Sequence, residues 1–261
     1  MFNKHSPQSS KRFCIYLMFL LCLTWFILPA CTSRLTAPDV KPGVYGALYK
    51  PKTPGVYPAV ILLHGSIGIQ PANQQLAQVL SKHGYVSIVL DYYAGKVGGL
   101  PPGSSFRGQA EKFKGWSDNG KNCVKYLQTL PEVEKDNIGL VGFSRGGGLA
   151  IAVSTQIPSV KAVVAYYPSP TLIWHVNKME VSPVLILHGS ADRQVPLHKV
   201  KTLYDNLFLN GKIVELKIYE GAEHGFERFT NKWVYSPSAA EDAKNRTIKY
   251  LDKYRTQPAT L

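Results

Sequence analysis

The sequence predicts an α/β domain: a mainly parallel sheet with helices on both faces and no large cap domain. Three observations carry that expectation. Short continuous apolar runs alternate with stretches of helical spacing from Pro42 onward, as βαβ units require. Ala59 to Leu63 is one continuous apolar run, as in a strand buried on both faces. No internal repeat and no composition break divides this stretch, so one domain is expected over residues 42–261.

The elements follow in order. Val44 to Tyr49 reads as an opening strand and Ala59 to Leu63 as an apolar strand ending in His64-Gly65. Gln74 to Lys82 has helical spacing and stops at Gly84, a residue suited to a helix end. Tyr85 to Leu90 is the next strand. A Gly/Pro-rich loop, Gly95 to Gly108, leads into a long helix from Gln109 to Leu130, closed by Pro131. Asn137 to Val141 is a strand, Gly147 to Ser154 a helix, and Val160 to Tyr166 and Val184 to Leu187 are strands. Leu197 to Leu209 is helical and stops at Asn210-Gly211, Ile213 to Tyr219 is the last strand, and Ala239 to Tyr254 the closing helix.

Residues 1–30 read as an export leader outside this domain, with 31–41 as a tether. Lys4, Lys11 and Arg12 form a basic head, Phe13 to Ile27 carry no charge, and Ala30 precedes Cys31. That ending resembles a bacterial lipoprotein signal, in which Cys31 takes a lipid and anchors the protein at the cell envelope. An uncleaved anchor helix over Phe13 to Ala30 is the competing expectation, and an ordinary cleaved signal is a third. Cys14 and Cys22 leave with the leader, so Cys123 stands alone and no internal disulfide is expected. Cys123 falls in a helical stretch and reads as a packed apolar group.

The chain carries a formal charge of +13; the leader takes three positives and no acid, leaving +10. The positives are scattered, and no zinc-finger, RNP or helix-turn-helix spacing appears, so nucleic acid is not an expected partner. A basic surface suits a protein held near anionic headgroups, but an ordinary solvated basic surface is the preferred expectation. No histidine–carboxylate cluster has metal-ligand spacing, and neither a metal nor another cofactor is expected.

The chemistry concentrates in Gly142-Phe143-Ser144-Arg145-Gly146, set between a strand and a helix. Strand, G-x-S-x-G, helix is a nucleophile elbow, a strained turn that holds a serine hydroxyl clear of the chain. A serine needs a base to take its proton and a third group to hold that base. With this elbow the chain order is serine, acid, histidine. Asp192 lies in the loop directly after the Val184 to Leu187 strand, and only His198 and His224 lie beyond it. His198 opens a helix six residues on, too near in sequence to reach the elbow from another loop. His224 sits after the final strand. The expected set is therefore Ser144 as nucleophile, His224 as general base then acid, and Asp192 as orienter. One oxyanion donor is the Arg145 backbone N–H, and the other comes from the loop His64 to Gly68, the Ser66 amide first and Ile67 second. Ser66 and Ser190 lack an elbow and are not nucleophiles. His64 and His188 end buried strands and read as hydrogen-bonded structural residues.

The order of His64-Gly65, the Gly142-to-Gly146 elbow, His188-Gly189-x-x-Asp192-x-x-Val195-Pro196 and His224-Gly225-Phe226 resembles the dienelactone hydrolase family of α/β-hydrolases. The resemblance covers nearly all of Pro42 to Tyr254. It implies hydrolysis of a small-molecule ester or lactone. It also implies a substrate-carboxylate role for Arg228; an ion pair with Glu227 or Glu223 is the alternative. Three positions depart from the namesake enzymes: Ser144 stands for a cysteine, Gly65 for a glutamate, and Gly95 for a second arginine, with Lys96 beside it as a substitute. The resulting expectation is a serine esterase acting through an acyl-enzyme. A peptidase or acyl-aminoacyl hydrolase, and a non-catalytic envelope binding protein on the same fold, are the rival expectations.

Overall fold

The computed structural model describes residues 44–94, 99, 106–170 and 180–255. Strands β1 (Gly46–Tyr49), β2 (Tyr57–Leu63), β3 (Val86–Leu90), β4 (Val133–Phe143), β5 (Val160–Tyr166), β6 (Val184–Gly189) and β7 (Val214–Tyr219) form a single sheet. Its order is β1-β3-β2-β4-β5-β6-β7, with β1 antiparallel at one edge and every other pairing parallel. Helices α1 (Pro71–Lys82), α2 (Phe106–Leu127), α3 (Arg145–Ser154), α4 (Leu197–Leu209) and α5 (Pro237–Arg255) complete the chain order.

Side chains alternate across a strand, so each buried strand feeds two cores. In β2, Ala59, Ile61 and Leu63 enter the core shared with α2, α3 and α4 through Trp116, Leu127, Leu149 and Val200. Val60 and Leu62, between them, enter the core shared with α1 and α5 through Leu76, Leu80, Ile248 and Leu251. All five are fully buried, which is why the sequence shows a continuous apolar run there. Cys123 lies on the inner face of α2, free and buried, and desolvation pushes its thiol well above the ordinary range. The mainly parallel α/β sandwich agrees with the fold class that the alternating runs predict.

The differences lie at element ends. β4 begins at Val133 rather than Asn137, because Val133 pairs with Tyr57 while the polar run Glu134 to Asn137 stays largely at the surface. α1 begins at Pro71, whose fixed φ suits a first turn, and the Asn73 side chain accepts the Gln70 backbone N–H. α2 ends at Leu127, three residues before Leu130, where tightened turns put Thr129 N–H on the Tyr126 carbonyl and Leu130 N–H on that of Leu127. Cys31, Gly95 and Lys96 lie outside the described residues.

The strand order places the site. After β2 the chain moves outward to β3, then returns past β2 to lay down β4 on its other side. The loops after β2 and β4 therefore diverge at the carboxyl ends of adjacent strands, the crevice where open α/β sheets bind ligands. Ile61 sits in the middle of β2 with no exposed surface. Ile61→Ala should cost about 2–5 kcal/mol and Ile61→Val about 0.5–1.5 kcal/mol, read by denaturant titration.

Candidate active site

The turn after β4 is sharp because two β-carbons are missing from it. A Cβ on Gly142 would lie 2.2 Å from the Gly146 carbonyl oxygen. One on Gly146 would lie 2.2 Å from the carbonyl oxygen of Leu63 and 2.3 Å from that of His64, the end of β2. Between them Ser144 takes φ 54° and ψ −115°, a conformation costly for any L-residue with a side chain. Its N–H donates to the Tyr166 carbonyl at 2.9 Å, and α3 starts at the next residue.

The carboxyl ends of β6 and β7 bring two partners to that serine. His224 Nε2 lies 3.1 Å from Ser144 Oγ, across 80 residues of chain. Its Nδ1–H faces Asp192 Oδ2 at 2.7 Å. Asp192 is buried, and its other oxygen, Oδ1, accepts the backbone N–H groups of Gln194 at 2.9 Å and Val195 at 2.8 Å. A carboxylate with both oxygens engaged is held in one orientation, and it holds the imidazole in turn. The three residues singled out in the sequence thus meet in one hydrogen-bonded line, while His198 sits in the first turn of α4.

The remaining candidates separate. Ser66 and Ile67 both line the cleft at Ser144, together with Gly65 and Gln70. The Arg145 backbone N–H opens α3, and its side chain turns aside: Nη1 donates to Tyr93 Oη at 2.7 Å and the guanidinium lies over Trp116. Ser190 Oγ accepts the Gly221 N–H. His64 is hydrogen-bonded as expected, donating from Nδ1 to the Gly65 carbonyl at 2.7 Å and stacking on Tyr92. His188 is a correction. It is fully buried, yet among the described residues neither ring nitrogen has a hydrogen-bond partner within bonding geometry. Its Nδ1 stops 4.0 Å from Asp192 Oδ2, which His224 already occupies. Burial lowers its pKa and keeps it neutral.

Arg228 lines the cleft, and its hydrogen bonds go to backbone carbonyls rather than to Glu227 or Glu223. Its Nη2–H donates to the His224 carbonyl at 2.9 Å and Nε–H to that of Gly225 at 3.4 Å, so the guanidinium braces the loop that carries the histidine. Gly225 makes this fold of the loop possible. It has φ +82°, and a Cβ there would sit 2.0 Å from Arg228 Nε.

Two residues that sequence reasoning passed over complete the wall. Tyr167, just past β5, has φ +36° and lays its ring 4.4 Å from the His224 ring. Its Oη donates to Glu227 Oε1 at 2.6 Å. A strained backbone at a strand end is a structural signal of function that no residue pattern reveals. Glu227 was visible only as a neighbour for Arg228. Among the described residues the cleft is open to solvent on one side and has a volume of about 40 Å³, room for a small group.

The dienelactone hydrolase family model matches residues 44–255. The chain belongs to the dienelactone hydrolase family. Like other members it is a hydrolase of the α/β type. It is similar to the carboxymethylenebutenolidase homolog of Mus musculus, 28% identical over 210 residues that cover 75% of this chain and 82% of that protein. Among solved structures it resembles a dienelactone hydrolase-like promiscuous phosphotriesterase, P91, from metagenomic libraries, with TM-score 0.70, 17% identity, and coverage of 81% of this chain and 92% of that one. A thermophilic esterase of Thermogutta terrifontis gives TM-score 0.61 at 17% identity, over 85% of this chain and 94% of the other. These two likenesses show the shared fold.

Gly225→Ala should cost roughly 1–3 kcal/mol. Because the added carbon displaces the Arg228 guanidinium, Gly225→Ala and Arg228→Ala should be strongly non-additive in a double-mutant cycle, measured by thermal denaturation.

Proposed function

We propose that this protein is a serine hydrolase of small carboxylic esters or lactones, working through an acyl-enzyme. The observation that carries the reading is the line from Asp192 Oδ2 through both nitrogens of His224 to Ser144 Oγ, at 2.7 and 3.1 Å. In this reading Ser144 Oγ attacks the ester carbonyl as His224 Nε2 takes its proton. Asp192 holds the imidazole in the right tautomer and stabilises the imidazolium that forms. The charge developing on the carbonyl oxygen meets the backbone N–H of Arg145 and that of Ser66, with Ile67 as the alternative donor. His224 then returns the proton to the leaving alcohol, and water repeats the sequence on the acyl-enzyme. Membership of the dienelactone hydrolase family and the esterase among its structural neighbours support ester chemistry. Arg228, at the cleft, is the group to meet an acidic substituent of the substrate. We further propose that Cys31 carries a lipid that tethers the enzyme at the cell envelope, on the strength of the charge and apolar pattern before it.

Ser144→Ala should abolish both p-nitrophenyl ester turnover and fluorophosphonate labelling, with little change in melting temperature. Retained turnover would refute the nucleophile. Asp192→Asn should lower kcat by about 10⁴-fold, as a wrong tautomer does, measured by pre-steady-state acylation. Cys31→Ser should move the protein from the membrane fraction to the soluble fraction; an unchanged membrane fraction would favour an uncleaved apolar helix.

A further inference from the structure

Asn73 stands in the first turn of α1 and lines the cleft at Ser144, yet the ester mechanism gives it no task. The residue is only 2% exposed, so packed neighbours hold its side chain in place. Its Oδ1 accepts the Gln70 backbone N–H at 2.8 Å. Only the amide oxygen can take a backbone N–H, so that bond also fixes which end of the planar group is nitrogen. The nitrogen is left over. Among the described residues Nδ2 has no hydrogen-bond acceptor. Nor is it sealed: the buried side-chain atoms that lack both a partner and solvent belong to Tyr49, His188, Glu227 and Tyr250. Nδ2 therefore opens onto the cleft that Asn73 borders.

The other polar groups of the wall are spent or loose. Gln70 turns its Nε2 onto the carbonyls of Ile67, Gly68 and Ile69. Glu227 gives Oε1 to the Tyr167 hydroxyl, and its Oε2 is shut off from solvent. Gln194 is exposed, so fixing its amide against a ligand would cost side-chain freedom. Arg228 spends Nε and Nη2 on carbonyls and keeps Nη1 without a partner among the described residues. Asn73 is thus a neutral donor already ordered before anything binds.

We propose that Asn73 is a specificity-determining residue of this cleft, whose Nδ2–H donates to an acceptor oxygen that the substrate carries beyond its scissile ester. The proposal rests on the ester-hydrolase reading and adds a substrate class to it: esters bearing a second oxygen function. A neutral N–H serves a keto oxygen and a carboxylate alike, and Arg228 adds a charge that only the carboxylate uses. An apolar substituent seated there would seal Nδ2 without a partner, so the same atom selects against it.

Three nearly isosteric methyl esters test it: methyl 4-oxopentanoate, monomethyl succinate and methyl 4-methylpentanoate, which differ only at the far end of the acyl chain. The kcat/KM of each oxygenated ester is divided by that of the 4-methylpentanoate. Comparing these ratios between variants, by pH-stat, cancels intrinsic reactivity and any general loss of activity. Asn73→Asp keeps an oxygen for the Gln70 N–H, and so the start of α1, while a second oxygen replaces the donor. It should lower the oxopentanoate ratio roughly 3–10-fold, the worth of one hydrogen bond. The succinate ratio should fall further, because the variant adds a like charge. Asn73→Ala should lower both ratios at least roughly threefold, whereas Arg228→Ala should lower the succinate ratio alone.

A residue that merely caps α1 gives another pattern. Asn73→Asp would then keep the parental oxopentanoate ratio, and Asn73→Ala would lower the melting temperature with both ratios unchanged. Either result would overturn the proposal, and Asn73→Asp decides alone if Asn73→Ala does not fold. No turnover of any of the three esters by the parent would sink the ester-hydrolase reading itself. Turnover with ratios that no Asn73 variant shifts would sink only the role of Asn73.

Discussion

The close approach of β2 to the turn after β4 is the constraint on which the rest of the molecule depends. Gly146 lies against the last carbonyls of β2, and Gly142 against the first turn of α3, with no space for a side chain at either. Only then can Ser144 hold its left-handed backbone and stand at the end of the sheet. The strain there is local, and the surrounding structure over-determines it. β2 and β4 are buried on both faces and paired over five consecutive registers, from Ala59 with Ile138 to Leu63 with Gly142. The sheet is stiff where the turn is strained, so the serine cannot relax without breaking that pairing.

A second set of restraints acts on the imidazole. Asp192 engages it from below, having been aligned by two backbone donors in its own loop. Tyr167 lies beside its ring, placed there by another positive φ. Arg228 draws on the carbonyl of His224 itself. Carboxylate and phenol thus reach the ring from two other connections of the sheet, while the guanidinium braces the backbone of the histidine within its own loop. Rigidity of this kind places a base to within hydrogen-bond reach of its target before any substrate arrives.

Much of this was legible in the residues because the chemistry sits where the chain pattern is strongest. The elbow is a contiguous pentapeptide, and the acid and histidine each follow an apolar run ending in a glycine-flanked loop. The buried strands announce themselves by unbroken apolar character. What escaped was decided by competition in space. His188 was expected to find a hydrogen bond, but the carboxylate nearest to it is saturated by His224, Gln194 and Val195. Tyr167 was passed over, since a backbone angle leaves no trace in composition. Glu227 looked like a counter-ion for Arg228, and only the carbonyls that claim the guanidinium reveal otherwise. Helix and strand ends drifted where polar residues pair at the surface, as in the first half of β4.

The wide separation along the chain of the atoms that meet at the cleft has a kinetic consequence. Ser144 and His224 are 80 residues apart, and the acid arrives on yet another crossover. Such long-range closure delays assembly relative to local helix formation. A working imidazole therefore exists only once these distant segments have closed on one another. The order of synthesis makes the residue that accepts the proton the last of the trio to emerge.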